Sequence, residues 1–377
     1  MKVRALAAGL ARRGYTVTVL TSDLGIKNAA KPGRFTRESY GWRCEEDGVQ
    51  AIYLSSRGSY RSLTWNPGSF AFCRKALKAV DIVHIYGTYD LLGPIVARAC
   101  RKEGIPYIFE PMGMYRPMVR NLALKWLYRR AFGESVLGGA VRVMATSVQE
   151  QKELIEEAVA PDKIIVRRNG VELPKRLPAP GLFRCQWQIP REASLVLFLG
   201  RIVSKQSPEL LLEAFIRWRR MPETAQTAVL AFVGPAEKEE RQRLEAEVRR
   251  QHLRENVLFT GPLYADAKWS ALIDADIFVL PSQNENFGNA AAEAIACGTP
   301  VVITDRCGIA PLVEGRAGLV IPHECEALVR ALHQLSDAAV RERMKLGCME
   351  VAQGLGWEQP LVDTEALYAE LCCRKHN

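Results

Sequence analysis

The chain has 377 residues, 48% hydrophobic and 25% charged, which excludes a disordered protein and is enough for two α/β domains. Its net charge of +9 is uneven, because residues 1–180 hold 29 Lys and Arg against 16 Asp and Glu. No stretch approaches the roughly 20 apolar residues of a spanning helix. The ten scattered cysteines form no CxxC pair and the chain has only five His, which argues for reduced, buried thiols and against a zinc site or a disulfide framework. We therefore expect a cytoplasmic protein, either free or peripheral on the inner face of a membrane.

The first predicted element is a helix. Val3, Leu6 and Leu10 recur at helical spacing, and Gly14 would end the helix before a strand. A doubly wound domain normally opens with a strand and a glycine-containing turn. We therefore predict that the first strand of the N-terminal domain is missing. Two explanations stay open, a misplaced or truncated start and an enzyme that works without that turn.

Short apolar runs then alternate with longer amphipathic ones, a βαβ pattern that predicts parallel sheets. The strands predicted in the first half are residues 15–20, 49–54, 81–86, 106–109 and 141–145. After a proline-bearing connection the pattern restarts, with strands predicted at residues 195–199, 229–233, 256–259, 277–280 and 301–304. We predict two Rossmann-like domains, residues 1–178 and 179–356.

Residues 281–300, PSQNENFGNAAAEAIACGTP, follow a predicted buried strand. They place Glu285 in a loop, Gly288 at the turn into a helix and Glu293 about one helical turn further on. The free N–H groups of a helix's first turn bind anions and hydroxyls, and glycine lets a ligand approach the backbone closely. Two carboxylates that flank such a site can accept hydrogen bonds from ligand hydroxyls.

The run FGNAAAEAIACGTPVV within and after this segment resembles the donor-binding motif of retaining glycosyltransferase family 4. The resemblance implies a GT-B fold, in which two Rossmann-like domains face a central cleft. It also implies transfer of a sugar from a UDP-sugar or GDP-sugar to a glycan or lipid-linked acceptor, in cell-surface polysaccharide or glycolipid synthesis. Glu285 would hold hydroxyls of the transferred sugar, and Glu293 would hold the ribose hydroxyls. The loop and helix tip would contribute Asn286, Phe287, Gly288 and Asn289.

Residues 200–206, GRIVSKQ, look like the family's G-R-x-x-x-x-K element. Arg201 and a nearby lysine would then grip the diphosphate as negative charge develops there. Gln206 stands at the usual lysine position, and Lys205 lies one residue earlier. The other donor-site residues that the resemblance implies are Gly200, Gly234 and Leu263, although Leu263 suits a core role equally well. With these cations in place, no metal or other cofactor is expected.

The acceptor side would lie in the first half, where DIVHIYG and PYIFEPMGMYRP look like family segments that end strands. They contain His84, Glu110 and Gly113, the predicted acceptor-side residues. A packed core histidine and an exposed loop glutamate are the alternatives for the first two. Tyr86 and Met112 stand where family members often have His. Residues 357–377 resemble the family's closing helix, which packs back on the first domain.

Residues 115–132 mix basic and apolar side chains on a predicted helix. The stretch contains Arg116, Arg120, Lys125, Arg129 and Arg130 together with Trp126, Leu127, Tyr128 and Phe132. Such a composition suits attachment to an anionic membrane surface, and it would fit a lipid-linked acceptor. The second interpretation is a solvated basic face with Trp and Leu packed inward. The sequence leaves both open.

Three other functions stay open. A non-catalytic nucleotide-sugar-binding protein or truncated inactive homologue would fit the missing strand and the departures at Tyr86, Met112 and Gln206. A sugar-nucleotide epimerase of the same fold would convert the donor with no acceptor present. A nucleic-acid-binding module is favoured only by the positive net charge. Such a module would bind oligonucleotides with an affinity that depends strongly on salt concentration. We do not expect that behaviour and therefore expect no nucleic-acid partner.

Overall fold

The computed structural model describes residues 2–26, 34–60, 63–116, 121–221 and 227–373. The chain divides into two compact units, residues 1–170 with 357–377 and residues 171–356. The first boundary therefore lies after Gly170 and not after residue 178 as predicted. The reason is local, because the Val171 amide donates to the Leu355 carbonyl oxygen at 2.7 Å and so joins the connection to the second unit.

The first unit carries two four-stranded sheets and a short hairpin. Its elements in chain order are α1 (Lys2–Arg12), β1 (Val17–Ser22), β2 (Thr36–Glu38), β3 (Gly41–Glu46), β4 (Val49–Leu54), β5 (Gly58–Tyr60), β6 (Leu63–Trp65), α2 (Ser69–Ala76), β7 (Val83–Tyr86), α3 (Leu92–Glu103), β8 (Tyr107–Glu110), α4 (Leu122–Tyr128), α5 (Glu134–Gly139), β9 (Arg142–Ala145), α6 (Val148–Glu156) and β10 (Ile164–Val166). One sheet has the order β1-β4-β3-β2. The other has the order β10-β9-β8-β7 with parallel pairs throughout, and its Phe109 and Val143 lie in the buried core.

Part of the first sheet is antiparallel, which corrects the prediction of parallel sheets. β3 pairs antiparallel with both β2 and β4. Between β3 and β4 the chain turns at Asp47 and Gly48, whose φ angles are 54° and 75°. Asp-Gly is a strong signal for a two-residue hairpin, because both turn positions need left-handed backbone. The prediction missed that signal and therefore missed the reversal of direction.

The second unit contains one six-stranded sheet of order β13-β12-β11-β14-β15-β16, parallel throughout. Its elements are α7 (Leu182–Gln186), β11 (Leu195–Leu199), α8 (Pro208–Arg219), β12 (Val229–Val233), α9 (Lys238–Arg250), β13 (Val257–Gly261), α10 (Ala265–Asp274), β14 (Ile277–Leu280), α11 (Asn289–Ala296), β15 (Val301–Thr304), α12 (Ala310–Val313), β16 (Gly318–Ile321), α13 (Cys325–Gln334) and α14 (Ala338–Gln353). The inner strands are buried on both faces, and helices such as α8 complete the core with Phe215 and Trp218. A fully buried parallel sheet explains why these strands are continuous apolar runs in the sequence.

The two units differ at the middle of their sheets. In the second unit, β11 lies at the centre and pairs with both β12 and β14. In the first unit, as far as it is described, β1 pairs only with β4 and β7 only with β8. The first described element there is α1, and no described strand joins the two sheets.

The last helix, α15 (Glu358–Cys373), belongs to the first unit. It packs on α1, where a Cβ on Gly9 would come within 2.7 Å of the Leu361 side chain. Arg13, which directly follows α1, pairs with Glu358 and Glu365. The C-terminal helix is therefore held against the first unit by close apolar contact and by ion pairs. Across the described ranges, no helix combines the length and apolar character needed to span a bilayer.

Candidate functional site

The loop that follows β14 ends at Gly288, the N-cap residue directly before α11. Gly288 has φ of 95° and ψ of 53°, and a Cβ there would come within 3.1 Å of Ile309 Cγ2. A side chain at this position would therefore be strained and crowded. As the N-cap residue, Gly288 supplies no side-chain cap to α11. The backbone N–H groups of a helix's first turn can bind an anion or a hydroxyl.

Three other residues of this tip differ in their surroundings. Phe287 is buried in the core of the second unit and so anchors the loop to that core. Asn289, the first residue of α11, is exposed. The side-chain Nδ2 of Asn286 is buried and donates no hydrogen bond to any described residue. Since a buried donor without an acceptor costs free energy, Asn286 indicates a polar ligand at this loop.

Glu285 is held through its backbone and its side chain. Its N–H donates to the Arg306 carbonyl oxygen at 2.9 Å, and its own carbonyl accepts from the Gly308 N–H at 2.8 Å. Gln206 Nε2 donates to Glu285 Oε2 at 2.9 Å, while Gln206 Oε1 accepts from Ser282 Oγ at 2.7 Å. Gln206 therefore fixes one carboxylate oxygen of Glu285. The other oxygen, Oε1, has no part in this contact.

The turn that precedes α8 lies against the same loop. The Gln283 N–H donates to the Lys205 carbonyl oxygen at 3.0 Å. Lys205 is half-buried, and Gln206 next to it is buried. The sequence showed Gln206 only as a departure from a lysine position. Its role as the partner of Glu285 could not be seen there, because the two residues are 79 positions apart and share no local spacing.

The glycines after β11 and β12 touch each other. A Cβ on Gly234 would come within 1.8 Å of the Gly200 carbonyl oxygen, so a side chain there would displace the backbone. Arg201 follows directly and is exposed. Because β11 and β14 are neighbours and parallel, Arg201 and Glu285 follow the carboxyl ends of adjacent strands. Leu263 packs partly buried on the core of the unit, so the core role given as its alternative is present.

Glu293 has a lysine partner that the sequence prediction did not include. Glu293 Oε1 lies 2.9 Å from Lys268 Nζ of α10, and both side chains are largely buried. The same Nζ lies 3.9 Å from the centre of the Trp269 ring. The ion pair orients the Glu293 carboxylate, which suits a hydrogen-bond acceptor for vicinal hydroxyls. No spacing rule links α10 to α11, so the sequence held no signal for this pair.

A second unpredicted pair lies at the same sheet edge. Ser207 Oγ is 2.8 Å from Nε2 of His323, which follows β16. Burial, together with the nearby Arg306 guanidinium, lowers the pKa of His323. Its imidazole is therefore neutral at neutral pH and can accept from the Ser207 hydroxyl. The bond holds the residue before α8, whose φ of 50° is left-handed.

In the first unit, Glu110 lies in a buried ionic cluster. It is fully buried, pairs with Lys2, and its Oε2 lies 3.0 Å from Arg167 Nη2. His84 Nε2 is 3.3 Å from Glu110 Oε2, and His84 Nδ1 is 2.9 Å from the Tyr368 hydroxyl. Burial would raise the pKa of Glu110, but Lys2, His84 and Arg167 together lower it to about 2. The alternative of an exposed loop glutamate is therefore wrong, His84 is a packed histidine, and a role of either toward an acceptor stays a prediction.

Gly113 is fixed by a second buried carboxylate. Its N–H donates to Glu150 Oε1 at 2.5 Å, and Glu150 Oε2 accepts from the N–H and hydroxyl of Thr146 at 2.7 and 2.8 Å. The φ of Gly113 is 66°, a left-handed value that favours glycine. These bonds join the ends of β8 and β9, so Gly113 lies at the carboxyl edge of that sheet. Its acceptor-side role stays a prediction.

The basic and aromatic stretch of the sequence forms α4 and the helical turns after it. Residues 117–120, including Arg120, lie outside the described residues. Trp126 is 61% exposed and Leu127 is 58% exposed. The interpretation in which Trp and Leu pack inward is therefore wrong.

Comparisons with known proteins agree with both halves of this description. Residues 182–347 match the family described as "Glycosyl transferases group 1", and residues 2–170 match the family described as "Glycosyl transferase 4-like domain". Each match falls within one of the two structural units.

Curated relatives and a solved structure extend the similarity over most of the chain. A D-inositol 3-phosphate glycosyltransferase of Thermomonospora curvata is 33% identical over 76% of this chain and 73% of its own length. Another, of Streptomyces bingchenggensis, is 30% identical over 77% of this chain, and the chain spans 66% of that protein's length. HepE of Anabaena, solved in complex with UDP and glucose, has a TM-score of 0.71 at 16% identity, over 94% of this chain and 100% of that chain. At 16% sequence identity, the structural match shows a shared fold and nothing about function.

Proposed function

Because this chain belongs to the group 1 glycosyl transferases, we propose that it transfers a sugar from a UDP-sugar or GDP-sugar to an acceptor hydroxyl, with retention of anomeric configuration. One observation carries the proposal. The hydrogen bond from Gln206 to Glu285 joins the turn after β11 to the loop after β14, which leads through Gly288 into the N-terminus of α11. Cations, a carboxylate and helix N–H groups thus belong to one sheet edge, where ligands of open α/β folds bind.

The proposed roles follow from charge and position. Glu285 accepts hydrogen bonds from hydroxyls of the transferred sugar, while the tip of α11 meets the sugar or the diphosphate. When the bond between the anomeric carbon and the phosphate oxygen breaks, negative charge develops on the leaving diphosphate. Arg201 and Lys205 stabilise that charge. The leaving phosphate oxygen takes the proton of the acceptor hydroxyl on the same face, so neither a protein nucleophile nor a metal is needed for this route.

The acceptor in this proposal is a glycan or a lipid-linked sugar, in cell-surface polysaccharide or glycolipid synthesis at the cytoplasmic face of a membrane. The excess of Lys and Arg over Asp and Glu in residues 1–180 supports an anionic acceptor or surface. The curated relatives are named for D-inositol 3-phosphate. A phosphorylated cyclitol is therefore the second acceptor class to test.

The direct test is donor turnover. Purified protein is incubated with UDP-sugars and GDP-sugars, with and without an acceptor extract, and release of nucleoside diphosphate is measured. We expect acceptor-dependent release for one donor base. Donor binding without release would contradict a transferase and favour a non-catalytic binding protein, and donor conversion without an acceptor would favour an epimerase.

Gln206→Ala is expected to lower kcat by about tenfold, because Glu285 loses the hydrogen bond that orients its carboxylate. Gln206→Glu is expected to lower kcat further, since it places two carboxylates in contact. Steady-state release of nucleoside diphosphate measures both effects. Gln242→Ala, an exposed glutamine of α9, is the matched control. Unchanged kcat in Gln206→Ala would contradict the positioning role.

Glu293→Gln is expected to weaken donor binding about tenfold, because a charge-assisted bond to the ribose becomes a neutral one. The measurement is the donor-induced shift in Tm, taken for each variant relative to its own donor-free Tm. This correction matters because the substitution also leaves Lys268 with a neutral partner. Glu255→Ala, an exposed glutamate of the same unit, is the control. A full shift in Glu293→Gln would count against the ribose assignment.

A further inference from the structure

Helix α4 exposes large apolar side chains. Leu122, Leu124, Trp126 and Leu127, here called the α4 ridge, are 53%, 48%, 61% and 58% exposed, and no residue of α4 is buried. A surface helix of a globular protein normally turns its apolar stripe toward the core. Here four large apolar side chains of one short helix face solvent instead. Exposed apolar surface of this kind marks an interaction site.

Contacts of Tyr128 and Arg129 with neighbouring elements anchor the helix. The Tyr128 hydroxyl donates to the Asp90 carbonyl oxygen. The Tyr128 ring centre lies 5.4 Å from those of Tyr89 and Phe132. Arg129 pairs with Glu157. Trp126 and Leu127 take no part in these contacts and stay 61% and 58% exposed. The exposure of the ridge is therefore a consequence of how the helix is attached.

Positive charge surrounds the ridge. Residues 122–133 contain Lys125, Arg129 and Arg130 and no acidic residue, and Arg130 is 68% exposed in its side chain. Two further cations reach the helix that follows: Arg101 donates to the Ser135 carbonyl oxygen at 2.7 Å and Lys163 to that of Gly138 at 3.2 Å. Acidic side chains lie here too: Glu157 pairs with Arg129, Glu134 with Arg130 and Glu156 with Arg116, and Asp90 lies near Tyr128.

We propose that the α4 ridge docks this protein on an anionic lipid bilayer. Trp126 and Leu127 enter the interface between headgroups and acyl chains, and Arg130 and its neighbouring cations meet the lipid phosphates. The combination of aromatic and aliphatic side chains with flanking cations on a fixed helix is what such an interface stabilises. This surface uses none of the residues assigned to the donor site, and it extends the membrane location given in the proposed function by naming the surface that meets the lipid.

The test uses the full chain and lipid vesicles, without any nucleotide sugar. Binding to phosphatidylcholine vesicles with and without phosphatidylglycerol is measured by co-sedimentation. We expect binding that depends on phosphatidylglycerol. The double variant Trp126→Ser with Leu127→Ser is expected to weaken it at least about tenfold. Both side chains are exposed, so the fold should tolerate the change.

Two matched variants separate apolar insertion from charge. Leu346→Ser with Met349→Ser removes equally exposed apolar side chains from α14, 63% and 62% exposed, and is expected to leave vesicle binding unchanged. Arg130→Glu is expected to weaken binding to anionic vesicles roughly fivefold or more, because an attractive contact becomes a repulsive one. It should leave the weak binding to phosphatidylcholine alone unchanged.

Three results would overturn the proposal. They are no binding to phosphatidylglycerol vesicles, binding that survives Trp126→Ser with Leu127→Ser, and binding that falls equally in the α14 control. Sedimentation equilibrium supplies a further check without lipid. Self-association that the ridge variant abolishes, in a protein that does not bind vesicles, would assign the ridge to contact between two copies of this chain. Because the lipid assay contains no donor, its failure is distinct from a failure of the transfer reaction.

Discussion

Replacing Arg201 with alanine is expected to lower kcat/KM for sugar transfer about 100- to 1,000-fold. The guanidinium is exposed at the carboxyl edge of the sheet, directly after the glycine that contacts Gly234. In the proposed mechanism, the guanidinium stabilises the negative charge that develops on the diphosphate as it leaves. An interaction made mainly in the transition state affects kcat more than KM. The measurement is steady-state release of nucleoside diphosphate at saturating acceptor.

The exposure of Arg201 separates this effect from folding. The free energy of unfolding of the Arg201→Ala variant should stay within about 0.5 kcal/mol of the parent value, as for other surface substitutions. Arg254→Ala, an exposed arginine in the same unit, is the matched control and should change neither quantity. Lys205→Ala is expected to lower kcat about tenfold or more, because Gln206 at the usual lysine position carries no charge. Full activity in Arg201→Ala would remove the proposed grip on the diphosphate.

Features that depend on a continuous stretch of sequence, such as a motif or an apolar strand, could be predicted. The family, the GT-B fold and the transferase class are confirmed. Strands β4, β11 and β12 have the predicted bounds, because their apolar runs end at turn residues. The position of Gly288 at the start of α11 followed from the motif, and its φ of 95° explains why a glycine stands there.

Contacts between distant residues could not be predicted. Lys268 lies 25 positions before Glu293, and Gln206 lies 79 positions before Glu285, so neither pair has a helical or strand period. Tertiary packing alone brings them together. The burial of Glu110 could not be predicted for the same reason. Its sequence position after a strand suggested a loop, but β8 ends at that residue inside the sheet.

The α4 stretch illustrates a further limit. Composition showed basic and apolar side chains on one helix, yet both orientations of that helix fit the sequence equally well. The anchoring contacts of Tyr128 and Arg129 decide between them, and they involve Asp90 and Glu157, which belong to other elements. A periodic pattern identifies the faces of a helix. It does not say which face meets the rest of the unit.

The largest expected effect on stability comes from Glu110→Ala. Removing this carboxylate leaves Lys2 and Arg167 buried without their acidic partner. Breaking a buried ion pair from one side typically costs about 3–5 kcal/mol, because the remaining charge stays desolvated. Urea unfolding of the parent and the variant measures the difference. Glu46→Ala, which removes an exposed partner of Arg4, is the control and should cost less than about 1 kcal/mol.

The pH dependence of unfolding gives an independent check on the same cluster. The pKa of Glu110 in the folded protein is lowered to about 2, below the value of about 4.3 for an unfolded glutamate. The stabilisation is therefore present above the unfolded pKa and is lost as the pH falls from roughly 4.3 toward 2. Glu110→Gln should flatten this acid limb of the stability curve. If Glu110→Gln instead kept the acid limb and reduced transfer per folded molecule, the carboxylate would act on the acceptor. Because its described partners are Lys2, His84 and Arg167 in a fully buried site, we expect the loss to appear in stability.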